Sequence, residues 1–180
     1  MNFMSGKGYD TETTQNEFAI KYVFVSKGKT DIVKAIEYRF VQDFRGRPLY
    51  NLGFGDYDVS TDQVFDNTNS NNGDAYPVFY TVLNTIPSFF EKYPAAMLMV
   101  QGSDSTPEFE ANCRKSCRRK CIDTCKKLHQ RIKTYREYVN KNFSSLNITY
   151  SFSGVLAENP TVIEDYEVGK KYVAVFLQRR

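Results

Sequence analysis

Phe18, Ile20, Tyr22 and Phe24 recur at every second position, with Ala19, Val23 and Val25 between them. Period two places the four large side chains on one face of a strand, and the smaller residues give it a partly apolar second face. Ser26-Lys27-Gly28-Lys29 turns the chain, and Ile32 to Val41 alternates again through Ile32, Lys34, Ile36, Tyr38 and Phe40. Arg45-Gly46-Arg47-Pro48 supplies the next turn before Leu49 to Phe54. Three consecutive strands with short turns are simplest as an antiparallel meander.

From Val78 the period changes. Val78, Phe79, Val82, Leu83, Ile86, Phe89 and Phe90 repeat at three and four, which predicts a core-facing helix with Asp74 as N-cap, Pro77 in its first turn and a kink at Pro87. Pro94 stops the chain before Ala95 to Val100, an apolar run of strand length. Ser105 to Glu108 has the spacing of a capping box. It opens an apolar stripe through Phe109, Cys113, Cys117, Cys121, Cys125, Leu128, Ile132, Tyr135, Val139 and Phe143. A helix of that extent would reach on the order of 55 Å, so part of it should protrude, bend or break. Leu146 to Val155 and Tyr172 to Leu177 return to period two as a final pair of strands. The expected class is α+β: meander, helix, strand, long helix, two strands. Residues 1–17 are read as a flexible polar arm and 18–180 as one domain.

Composition narrows this little. The 180 residues are 41% apolar, and no stretch reaches the length of a membrane span. No secretory signal pattern opens the chain, which places it in the cytoplasm. The net charge of +3 hides a strong polarity. Between Cys113 and Lys141, eleven Lys or Arg face only Asp123 and Glu137, a local balance of +9 that leaves −6 for the rest. The basic face starts with Arg114, Lys115, Arg118, Arg119, Lys126 and Lys127. It is suited to an acidic protein partner or to the phosphates of a nucleic acid.

The four cysteines stand at intervals of four. On a continuous helix they form one row, which neither surrounds a metal nor meets disulfide geometry, so no metal site is expected and they are read first as buried apolar filler, then as a contact with a second copy of the chain, and last as one pair in soft-metal or redox use. His129, the only histidine, is read as a surface residue. Asn71, Asn72, Gly73 and Asp74 lead into the first helix, where backbone donors suit an anion.

Two resemblances add expectations. Tyr50-Asn51-Leu52-Gly53-Phe54-Gly55-Asp56, Asn71-Asn72-Gly73-Asp74 with Val78 and Thr81-Val82, Tyr93-Pro94 with Gln101-Gly102-Ser103, and Gly169 to Leu177 resemble an uncharacterised family of small bacterial domains common in Bacteroidetes-type genomes. The order of elements also resembles the core of GNAT-type N-acetyltransferases. That likeness implies acetyl-CoA at Asn71 to Asp74, with Tyr135 or Tyr138 as the acid and Asp56 or Glu37 as the base. The leading expectation is a partner-binding domain without a cofactor. An acyl-CoA-dependent N-acyltransferase and a nucleic-acid-associated protein are the alternatives.

Overall fold

The computed structural model describes residues 7–65, 72–115, 117, 120–123 and 125–180. The fold is α+β, with nine strands, three α-helices and a short 3-10 turn among these residues. The chain divides into two compact units, Met1–Ala96 and Met97–Arg180.

In the first unit β1 (Glu12–Gln15), β2 (Ala19–Ser26), β3 (Ile32–Phe44) and β4 (Arg47–Asp58) lie side by side, all antiparallel, and β5 (Gln63–Phe65) pairs with β4. The meander is as its alternation predicts. Arg45 and Gly46 both adopt positive φ, +51° and +75°, which matches the twist of a two-residue hairpin between β3 and β4. α1 (Ala75–Lys92) continues through Pro87. Thr81, Val82, Leu83, Thr85, Ile86, Phe89 and Phe90 form its buried stripe. Tyr38 of β3 stacks on Phe89, centroids 4.4 Å apart, and its hydroxyl meets Thr85 Oγ1 at 2.7 Å. Even-numbered β3 residues up to Phe40, before the bulge at Val41, therefore face α1, and odd-numbered ones face away.

The segment read as a loose arm is anchored from Gly8 onward. β1 pairs with β2, and Tyr9 stacks on Phe24 at 5.4 Å. The Tyr9 backbone N–H donates to Thr81 Oγ1 at 2.8 Å. A Cβ on Gly8 would lie 2.9 Å from the Thr81 backbone nitrogen, so the close approach depends on glycine. Composition missed this because one aromatic residue and a few directional bonds hold the segment rather than a run of apolar positions.

In the second unit β6 (Met97–Gln101), β9 (Tyr172–Arg179), β7 (Tyr150–Leu156) and β8 (Asn159–Asp165) neighbour each other in that order, antiparallel throughout. Two final strands were expected and three are present: the stretch containing Asn159-Pro160 forms β8, while Leu146 to Thr149 still belongs to a helix. The long helix is also corrected, into α2 (Pro107–Lys115) and α3 (Gln130–Thr149). Arg114 with Arg118 and Lys115 with Arg119 would be like-charged pairs one turn apart, which disfavours a continuous helix here. Lys120 and His129 adopt left-handed backbone conformations that a helix interior does not allow. α2 is capped by Thr106, whose Oγ1 accepts from Phe109 N at 3.1 Å, so the cap lies one residue after the expected Ser105. Phe143 of α3, Phe152 and Tyr166 pack as an aromatic cluster over β7 and β9.

Candidate functional site

On the sheet face away from α1, Lys21 of β2 stands opposite Glu37 of β3, which stands opposite Gly53 of β4. Lys21 is 2% exposed, and a buried ammonium requires compensation. Its Nζ donates to Asp62 Oδ1 at 2.5 Å and to the Asp62 carbonyl at 2.7 Å, lies 3.6 Å from Glu37 Oε2, and sits 5.4 Å from the Tyr57 ring centroid. The Tyr57 hydroxyl donates to the same Asp62 oxygen at 2.8 Å. Arg39 holds Glu37 from the other side through two bonds of 2.9 and 3.0 Å. Thr14, Gln15, Ala19, Lys21, Tyr57 and Asp62 line a pocket of about 110 Å³, room for a few waters or a very small polar molecule.

The bonds from Lys21 and then from Tyr57 hold the Asp62 carboxyl below its usual value, and the same Asp62 bond raises the Tyr57 hydroxyl. A lowered carboxylate stabilises the fold above its unfolded pKa and loses that contribution as pH falls through its folded value. Asp62→Asn should therefore lower the urea midpoint at pH 7. The gap from the parent should close as pH drops below about 4, the ordinary carboxylate range. An equal gap at pH 7 and pH 2.5 would contradict this role.

Of the residues expected to be catalytic, Glu37 belongs to this cluster. Asp56 does not: it pairs with Lys34 on the opposite face, where Lys34 also lies over the Phe54 ring. Tyr135 and Tyr138 are both half-buried on α3 in the second unit, and burial pushes the Tyr135 hydroxyl up to about 12, so it holds its proton near neutrality. Lys21, Tyr57 and Asp62 were missed. A lysine inside an alternating apolar strand was the available signal, because such a position is buried only when a partner accompanies it.

Asn71 lies outside the described residues. Asn72, Gly73 and Asp74 do precede α1, with Gly73 at φ +76°. Asp74 occupies the N-cap position but makes no side-chain cap bond. Its Oδ2 instead accepts from the Tyr9 hydroxyl at 2.7 Å and from Ser26 Oγ at 2.6 Å. Asn72 Nδ2 donates to Ser26 Oγ and to the Thr30 carbonyl. The loop thus clasps the N-terminal segment and the β2–β3 turn, and its one carboxylate stands where an incoming anion would be repelled.

In the second unit Asp104, 5% exposed, caps α3: its Oδ2 accepts from Arg131 N at 2.9 Å, and its carbonyl accepts from His129 N at 3.1 Å. Gly102 allows this packing, since a Cβ there would fall 2.4 Å from Asp104 Oδ1 and 3.0 Å from Ser105 Oγ. His129, expected at the surface, is half-buried at the N-cap of α3 with its Nδ1 enclosed.

The basic segment between α2 and α3 carries Lys120, Lys126 and Lys127 exposed, with Arg114 and Lys115 exposed at the end of α2. Arg118 and Arg119 lie outside the described residues. Arg114 organises the turn: its guanidinium bonds Glu110 Oε1 at 2.8 Å and donates to the Asp123 carbonyl at 2.7 Å. Ile122 projects from that turn, 87% exposed. Only Cys113 lies on a helix, and only Cys125 is buried. The sulfurs meet in pairs: Cys125 with Cys113 at 3.5 Å and Cys117 with Cys121 at 3.6 Å. The bond with Cys125, followed by burial, raises the Cys113 thiol above its ordinary value. Among the described residues no group of three His, Cys, Asp or Glu side chains is placed to hold a metal ion, and no helix is long and apolar enough to cross a membrane.

Comparison with curated proteins and with solved structures returns no match to the chain. A protein-family model does match it, over residues 6–108, which takes in the Lys21 cluster and the Asp74 clasp and ends before Cys113. That match covers more than half of the sequence, and the chain belongs to this family of unknown function, DUF6934.

Proposed function

We propose that the chain is a partner-binding domain on an acetyltransferase-like order of elements, and that the turn between α2 and α3 docks an acidic protein segment. The observation that carries this reading is Ile122, 87% exposed and flanked by the exposed Lys120, Lys126 and Lys127. An exposed large apolar side chain in a segment that also exposes three lysines suits a partner that offers an apolar residue among carboxylates: burial of the apolar pair supplies affinity, and the charges supply approach and orientation. The local excess of positive charge in an otherwise acidic chain favours such a partner at long range.

Fluorescence anisotropy with two labelled peptides, poly-glutamate and poly-glutamate bearing one central Phe, tests it. The Phe peptide should bind at least about tenfold more tightly, roughly 1.4 kcal/mol. Ile122→Asp should erase that difference, and joint reversal of Lys120, Lys126 and Lys127 to Glu should abolish binding of both peptides. Duplex DNA binding more tightly than either peptide, with affinity falling steeply between low and physiological salt, would transfer the surface to a nucleic acid instead.

A further inference from the structure

We propose that residues 113–125 form a redox clasp in which Cys113 and Cys125 close one disulfide and Cys117 and Cys121 close a second, nested inside it. Two features of the structure support that connectivity. Two pairs of sulfurs already stand at contact distance, Cys113 with Cys125 at 3.5 Å and Cys117 with Cys121 at 3.6 Å. A disulfide requires about 2 Å, an approach of roughly 1.5 Å that side-chain rotation and a small backbone adjustment can supply. Three of the four cysteines are also outside helix: Cys113 sits two residues before the end of α2 at Lys115, and Cys117, Cys121 and Cys125 lie between α2 and the start of α3 at Gln130. The rigid row that would have kept neighbouring thiols apart does not exist here.

The oxidant class is a small-molecule disulfide such as oxidised glutathione, whose carboxylates suit the exposed Arg114, Lys115, Lys120, Lys126 and Lys127. In the outer pair the half-exposed Cys113 is the accessible partner, and Cys125 is enclosed. The Cys113 thiolate attacks one sulfur of the oxidant and expels one glutathione thiolate, leaving a mixed disulfide. The Cys125 thiolate then attacks the Cys113 sulfur and expels the second glutathione. The two protons given up by the protein thiols end on the two released glutathiones. Each pair loses two electrons and the oxidant gains them. The inner pair reacts in the same way, and together the links make covalent the contacts that the reduced thiols already form. This inference rests on the thiol geometry and stands apart from the docking reading.

The test uses the full chain, reduced and then incubated with oxidised glutathione at about pH 8, where thiolate is available. Intact mass should fall by about 4 Da, the four hydrogens lost on forming two disulfides. Digestion with trypsin and with a protease that cleaves before Asp123 separates all four cysteines, because Asp123 lies between Cys121 and Cys125. The linked peptides should be Cys113 with Cys125 and Cys117 with Cys121. Of the three connectivities that four cysteines allow, this one should dominate in the folded chain and give way to a mixture in urea. Cys113→Ser should retain the inner link alone, with a loss of about 2 Da. Another dominant connectivity in the folded chain would overturn the proposal. So would unchanged mass with four titratable thiols, or one equivalent of zinc that protects all four until a chelator removes it.

Discussion

Gly154→Val is expected to cost about 3 kcal/mol or more, the upper range for forcing volume into a filled core, and to lower the urea midpoint accordingly. Gly154 is buried on β7, opposite Val175 of β9 and Glu164 of β8. Even a single Cβ there would stand 2.4 Å from Tyr172 Cδ1 and 2.5 Å from its Cγ. The ring has no room to yield. Tyr172 is 0% exposed, packs 4.8 Å from Tyr166, and is held at its far end, where its hydroxyl accepts from Glu167 N and donates to Glu164 Oε1, both at 3.0 Å. Gly53→Ala provides the contrast: the nearest atoms to its new Cβ lie 3.8 and 3.9 Å away, and its effect should stay within about 0.5 kcal/mol. Urea denaturation followed by far-ultraviolet circular dichroism compares the two. A Gly154→Val protein as stable as the parent would show that the sheet gives way around Tyr172.

In the first unit the largest loss should come from Tyr38→Ala, about 4 kcal/mol, as for other large aromatic truncations in a core. Tyr38 is fully buried between the sheet and α1, stacked on Phe89 and edge-on to Tyr22 at 5.7 Å. Tyr38→Phe separates ring from hydroxyl. Thr85 Oγ1, left without the phenol, still donates to the Val82 carbonyl at 2.8 Å, so no buried group is stranded and the cost should be only about 1 kcal/mol. Urea midpoints for the two variants would test this split. Similar losses for both would assign the energy to the hydrogen bond instead of the packed ring.

The meander and α1 were legible because their periods are long and uninterrupted: Phe18 to Phe24 at two, Val78 to Phe90 at three and four. The error at the long helix has an equally local origin. An apolar stripe in steps of three and four ran through the cysteines, yet stripe periodicity weighs only what a helix would bury and ignores the repulsion among consecutive cations on its other face. Once Lys120 and His129 turn left-handed, thiols read as a row become pairs, and the reading of their chemistry changes with it. The Lys21 cluster was half visible. Glu37 was named only as a base under the acetyltransferase likeness, while Asp62 reaches Lys21 from a loop 41 residues away, a proximity that no local pattern encodes.

The two buried lysines of the first sheet, Lys21 facing away from α1 and Lys34 on the other side, each meet a carboxylate on the next strand, Glu37 and Asp56. Sliding β2 past β3, or β3 past β4, by one residue would turn one of these ammonium groups away from its carboxylate and leave a buried lysine without its cross-strand partner. Misalignment of either strand pair would thus carry its own penalty. The ion pairs act as a lock on strand alignment that greasy side chains, interchangeable along a strand, could not provide.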